Sequence, residues 1–267
     1  MNNLIGISGR MGSGKDLCGQ IIQFLTMPEF GYTKCPHWNF HFNKNNIPIT
    51  NRHLTSEYKI VKFADKLKNM VCMLIGCTRE QLESQGFKSR ELSSLWDYYF
   101  CDSSITNKML TLSEYNNLSN NQKEYFELKH MTPRLLLQLL GTQCGREIIH
   151  PNIWVNSLFN DYIPDLSGYS DRMTKEDMKE LYPKWIITDV RFPNEVKVIK
   201  ENGGIVIRIN RPCISCGQVN FHKMDCGYNT SHESETALDN YTGFDHVIFN
   251  GSSIDDLINT LKSVLEL

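Results

Sequence analysis

Hydrophobic and polar positions divide the chain into short apolar runs separated by stretches of helical period. Leu4-Ile5-Gly6-Ile7-Ser8 reads as a buried strand, and an amphipathic helix is predicted over residues 15–25. Residues 27–56 are rich in Asn, Pro and His, carry no strong period and read as an irregular insertion. Tyr58-Lys59-Ile60-Val61-Lys62-Phe63 predicts a second strand, followed by a helix over 65–75. A polar region over 78–129 reads as short helical pieces. Thr132-Pro133-Arg134 then starts a helix, with Thr at the cap, Pro at the first position and Leu135, Leu136, Leu139 and Leu140 on one face. Gly141 is expected to end it. A helix over 151–162 and a polar connection to about 182 precede the apolar strand Trp185-Ile186-Ile187-Thr188-Asp189-Val190, which carries an acid near its C-terminal end. A helix over 194–201, the turn Asn202-Gly203-Gly204 and a strand over 205–209 complete a βαβ unit. The last strand is His246-Val247-Ile248-Phe249, and a helix over 254–265 closes the chain. Strands alternating with helices imply an α/β fold: a parallel sheet covered on both faces, with ligands at the C-terminal ends of the strands. One domain over 1–267 accounts for the pattern, with the insertion at 27–56 and a mainly helical insertion at about 78–182.

The segment following the first strand carries the clearest chemistry. Gly9-Arg10-Met11-Gly12-Ser13-Gly14-Lys15-Asp16 lies between a strand and a helix, the order required of a phosphate-binding loop. There the glycines let backbone N–H groups curl around a phosphate, the helix N-terminus adds its positive end, and Lys15 reaches the β- and γ-oxygens. A nucleoside triphosphate is the expected ligand. The eighth position departs from the usual pattern, because Asp16 stands where Ser or Thr normally offers a hydroxyl to Mg²⁺. A carboxylate also suits that ion. Equally, Asp16 suits the first turn of a helix as a dipole partner.

Composition narrows the partners. With 267 residues, 40% of them hydrophobic, the chain is long enough to bury a full core. Its net charge of −2 leaves no basic field for a long nucleic acid. The apolar N-terminal run is too short for a signal peptide and no stretch has the length of a membrane span, so a soluble cytoplasmic protein is expected. Nine cysteines are irregularly spaced, which suits reduced thiols better than disulfides. Cys213, Cys216, His222 and Cys226 could form a zinc site, or stand as free thiols on a loop, since their spacing matches no common zinc module.

Six blocks in order carry a family resemblance: Ile7-Ser8-Gly9 with Gly12-Ser13-Gly14-Lys15-Asp16; Phe63-Ala64-Asp65-Lys66-Leu67-Lys68; Leu136-Leu137-Gln138-Leu139-Leu140-Gly141-Thr142; Ile149-His150-Pro151-Asn152-Ile153-Trp154-Val155; Thr188-Asp189-Val190-Arg191-Phe192-Pro193-Asn194-Glu195; and Ser231-His232-Glu233-Ser234-Glu235. Together they resemble the deoxynucleoside monophosphate kinases of bacteriophages and other DNA viruses. The resemblance implies a P-loop kinase fold and transfer of the γ-phosphoryl group of ATP, with Mg²⁺, to a deoxynucleoside monophosphate in the host cytoplasm. A homodimer is compatible with it. Gly9, Met11, Gly12, Ser13, Gly14, Lys15 and Asp16 would then bind ATP.

Phosphoryl transfer needs positioning and charge neutralisation rather than a nucleophile from the protein. Lys15, Arg10, Asp189 and Arg191 are accordingly the candidate catalytic groups, with Asp16 and Asp189 as the metal pair. Asp189 could instead cap a strand end, and Arg191 could pair with Glu195. Lys68 and Arg134 are the candidates for the acceptor phosphate, with Arg90 behind them, although each also fits a solvated helix position. Trp154 offers a stacking plane and Gln138 an amide for the base, while an apolar helix would equally bury the indole. The loop around His232 is expected to lie near the phosphates. Other readings of the same loop are a kinase for dephospho-coenzyme A or a ribonucleotide, and a regulatory NTPase.

Overall fold

The computed structural model describes residues 2–26, 56–103, 106–167, 174–212 and 233–267. The chain forms two compact units, one from Met1–Phe63 with Val155–Leu267 and the other from Ala64–Trp154.

The first unit is built on a parallel sheet, five-stranded among the described residues. Its strands are β1 (Leu4–Ser8), β2 (Tyr58–Val61), β6 (Lys184–Val190), β7 (Ile205–Asn210) and β8 (His246–Phe249), in the order β2-β6-β1-β7-β8. The expected α/β fold with a P-loop kinase-like parallel sheet is thus the one observed. Leu4 lies beside Trp185 and Ile5 beside Ile205, so β1 occupies the centre of the sheet. The register shifts between Gly6 and Ser8 on the β6 side, which brings Ser8 opposite Val190.

Side chains alternate between the two faces. Ile5, Ile7, Ile186, Ile207, Ile209 and Ile248 join one core with Cys18, Ile21 and Ile22 of α1 (Lys15–Leu25) and with Leu257, Ile258 and Leu261 of the closing helix Ile254–Leu265. On the opposite face Ile199 of the helix Pro193–Glu201 lies over Gly6 and Val206. Both faces are covered, as a parallel sheet of apolar strands requires. All five strands run the same way, so the residues after Ser8, Val61, Val190, Asn210 and Phe249 share one edge. β1 has β6 on one side and β7 on the other, and strand order of this kind leaves a ligand crevice beyond the central strand.

The second unit combines helices with a small antiparallel sheet. β3 (Tyr98–Ser103) pairs with β4 (Thr106–Leu110) and β5 (Glu127–Lys129). These strands fall in the stretch read from sequence as short helical pieces. Helices do form there, at Arg79–Glu83, Gln85–Lys88, Leu112–Asn116 and Asn120–Lys123, but none is longer than five residues. With segments this short, local period does not separate helix from strand. Another short helix, Lys175–Glu180, lies in what was read as a polar connection.

The helix predicted from Thr132 begins as expected. Thr132 accepts from the Leu135 N–H at 3.1 Å and Pro133 takes the first position. It does not end at Gly141, however. The α-helix Pro133–Gln138 continues as a π-helical segment, Leu139–Ile149, in which the His150 N–H reaches the Gly145 carbonyl at 2.9 Å. Gly141 and Gly145 are there for close approach rather than termination. A Cβ on Gly141 would sit 2.9 Å from Leu67, and one on Gly145 would sit 2.6 Å from the Leu140 carbonyl oxygen and 2.9 Å from the Trp154 ring.

Candidate active site

In the first unit the loop Gly9–Lys15 follows β1 directly and leads into α1. Gly14 has φ +96°, in the left-handed region, and a Cβ there would meet the Asn250 side-chain nitrogen at 2.5 Å. Glycine is therefore required at this position both by backbone conformation and by space. Asn250, just past β8, donates to the Ser13 carbonyl at 2.9 Å and braces the loop from behind. The buried Ser13 hydroxyl has no hydrogen-bond partner among the described residues.

Lys15 folds back over the loop and donates to the carbonyls of Gly9 at 2.6 Å and Arg10 at 2.8 Å. Burial lowers its pKa to about 8, and the nearby Arg191 pushes in the same direction, against the pull of Glu235 and Asp16. Asp16 Oδ1 takes two bonds, one from the Thr188 hydroxyl at 2.7 Å and one from the Lys62 ammonium at 2.7 Å. Burial works to raise the Asp16 carboxyl, but the Lys62 bond and charge, with Thr188 and Lys15, outweigh it and hold the group below its ordinary value. Asp189 Oδ1 accepts the Phe63 N–H at 2.8 Å, which ties the end of β6 to the end of β2.

Arg191 was expected to face the phosphates or to pair with Glu195. Glu195 is instead buried beneath its own helix start, taking the backbone N–H groups of Arg191 at 2.7 Å and Phe192 at 3.1 Å. The Arg191 guanidinium pairs with Glu235, with longer contacts to Ser234. The other oxygen of Glu235 accepts the Met11 N–H of the glycine loop at 2.9 Å. One carboxylate thus bridges the loop and the arginine.

Arg10 differs from expectation as well. As a cation beside the phosphates its guanidinium would have to be available, whereas it grips both oxygens of Asp239. Asp239 also takes Arg208 at 3.2 Å, and Arg208 donates to the Ser8 hydroxyl at 3.0 Å while lying over the Phe244 ring. Arg208 is buried within β7, and its charge is balanced there by Asp239. One sign of this is visible along the chain, a lone arginine inside the apolar run Ile205-Val206-Ile207-Arg208-Ile209. Its partner lies 31 residues away and carries no local pattern.

In the second unit Lys68 is bonded to Glu83 at 2.7 Å, and Glu83 also receives Arg79 at 3.3 Å and Lys88 at 3.6 Å. Arg134 donates to the Gln85 side chain at 2.7 Å. Lys88, passed over in favour of its neighbour Arg90, belongs to this group: its pKa is lowered first by burial, then by Lys68 and Arg134, against the pull of Glu83. Arg90 is exposed and makes no ion pair among the described residues. Gln138 is exposed at the end of its helix. Trp154 does not offer a stacking plane. It is 5% exposed, its ring N–H is committed to the Gly141 carbonyl at 2.8 Å, and its ring packs on Gly145. Cys213, Cys216, His222, Cys226 and His232 lie outside the described residues, as does the expected insertion at 27–56 apart from Ser56.

A parallel sheet with a glycine loop at the end of its central strand, a lysine folded over that loop, an acid in the first turn of the helix that follows and another at the end of a neighbouring strand define a P-loop phosphotransferase. Within that class the chain belongs to the deoxynucleotide monophosphate kinase family, whose family model matches residues 81–261, more than half of the chain. Two relatives carry corresponding names. The deoxynucleoside-5'-monophosphate kinase of Escherichia phage T5 is 26% identical over 211 residues, covering 75% of this chain and 73% of the relative. A putative deoxynucleotide monophosphate kinase of Acanthamoeba polyphaga mimivirus is 30% identical over 138 residues, covering 51% of this chain and 62% of the relative. Phosphorylation of deoxynucleotide monophosphates is the activity that membership assigns, ahead of the other P-loop readings of the sequence. No described helix is long and apolar enough to cross a membrane.

Proposed function

We propose that the chain transfers the γ-phosphoryl group of ATP to the phosphate of a deoxynucleoside monophosphate, with ATP held at the glycine loop. The reading is supported above all by one observation: at the sheet edge that carries the glycine loop, Lys15 lies close enough to Asp16 and Arg191 for their charges to act on it, and Asp189 stands at the end of the neighbouring strand. The loop amides and Lys15 hold the β- and γ-phosphates. Arg191 neutralises charge on the transferred group. Asp16 and Asp189 are the hard oxygen donors that suit Mg²⁺, an ion content with one or two protein carboxylates alongside phosphate oxygens. When bound, that ion supplies charge neutralisation on the triphosphate. Arg10 contributes through its carbonyl, which orients Lys15, and its guanidinium is structural.

The acceptor phosphate is assigned to Lys68, Lys88 and Arg134, whose charges are close enough to oppose one another around Glu83 and Gln85. A dianion relieves that opposition. A coupled ADP-release assay with each deoxy- and ribonucleoside monophosphate tests the whole reading: ADP release should depend on a deoxynucleoside monophosphate. In the same assay Arg134→Ala should raise KM for the monophosphate about tenfold or more while leaving KM for ATP nearly unchanged, as expected when one substrate loses a charge-assisted contact. An equal effect on both substrates would put Arg134 elsewhere.

A further inference from the structure

Glu235 stands out because its side chain is 8% exposed although it belongs to a helix of only four residues, Glu233–Thr236. Its two oxygens are divided between two donors of the phosphate site: the Met11 N–H of the glycine loop at 2.9 Å, and the Arg191 guanidinium. The carboxylate is also close enough to Lys15 to act on that ammonium. An anion bound by a loop amide, flanked by an arginine and a P-loop lysine, has the surroundings that a nucleotide phosphate oxygen requires.

We propose that Glu235 is a positioning residue of the phosphate site, which holds the Met11 amide and Arg191 through its carboxylate and competes with nucleotide phosphate for both. Binding of the triphosphate is then an exchange of anions, in which the carboxylate leaves and the loop amide and the arginine pass to phosphate oxygens. The bound affinity is reduced by whatever fraction of molecules has the carboxylate seated. The exchange rests on the P-loop reading of residues 9–16, and adds to it a residue of the chain that opposes the ligand.

Equilibrium binding of ATP and of inorganic tripolyphosphate to the full chain tests it. Glu235→Gln keeps the shape and removes the charge, so Kd for both ligands should fall by about tenfold, the worth of one charge-assisted hydrogen bond. Glu235→Asp keeps the charge but falls a methylene short of its partners; it should also tighten binding, by less, and it carries the test if the Gln variant does not fold. A merely structural glutamate would give a lower Tm and an unchanged or higher Kd. That result, in either folded variant, overturns the exchange alone. Lys15→Ala is measured alongside: loss of tripolyphosphate binding keeps the P-loop reading in place, while binding equal to that of the unmodified chain overturns that reading and the exchange with it.

Discussion

Lys15 must be charged to serve a phosphate, and its surroundings make that charge conditional. Burial, followed by Arg191, lowers its pKa from 10.5 to about 8. Kd for ATP should therefore be flat below about pH 7 and rise as pH climbs through 8, and Lys15→Arg, which stays charged, should remove the inflection. Calorimetric titrations at a series of pH values check this. The sign for stability is the opposite. The unfolded chain holds this proton up to 10.5 and the folded one only to about 8, so the contribution of Lys15 to folding is unfavourable below 8 and improves between 8 and 10.5. At this scale the loop was legible because its members are consecutive. Glu235 and Asp239 were not, because they meet Met11 and Arg10 across 224 and 229 residues, and no local pattern encodes such a distance.

Among the elements, the strands of the parallel sheet and the helices at both ends of the chain were readable to within a residue or two, since each is a continuous apolar run or a full amphipathic period. The π-helical segment was not. Glycine after a helical run signals an end when the backbone must turn left-handed, but Gly141 and Gly145 are small so that Leu67, the Leu140 carbonyl and Trp154 can come close. Gly145→Ala would place a methyl 2.6 Å from a backbone oxygen and 2.9 Å from an indole held by its own hydrogen bond. Neither neighbour is a free side-chain tip. Urea unfolding should show a loss of roughly 1–3 kcal/mol, the usual cost of overpacking. The same packing buries the Trp154 ring, the alternative that an apolar helix offered beside a stacking role.

For the molecule as a whole, the triad Arg10–Asp239–Arg208 joins the glycine loop, β7 and the segment after the Glu233–Thr236 helix through one carboxylate. The Arg208 side chain is 7% exposed, so removing its partner would leave a cation in the interior. Asp239→Ala should cost roughly 3–5 kcal/mol of stability, read from the midpoint of denaturant unfolding, and should do so whether or not nucleotide can bind.

The sheet order carries a consequence for the making of the protein. β1 and the glycine loop emerge well before the strands that flank β1, which start at Lys184 and Ile205. At usual elongation rates the loop leaves the ribosome without a neighbouring strand for on the order of ten seconds. Residues Ala64–Trp154, contiguous in the chain, have all their own partners by then. The glycine loop is thus made long before the strands that enclose it, and its closing waits on contacts of high sequence separation, the slow step expected of a parallel sheet.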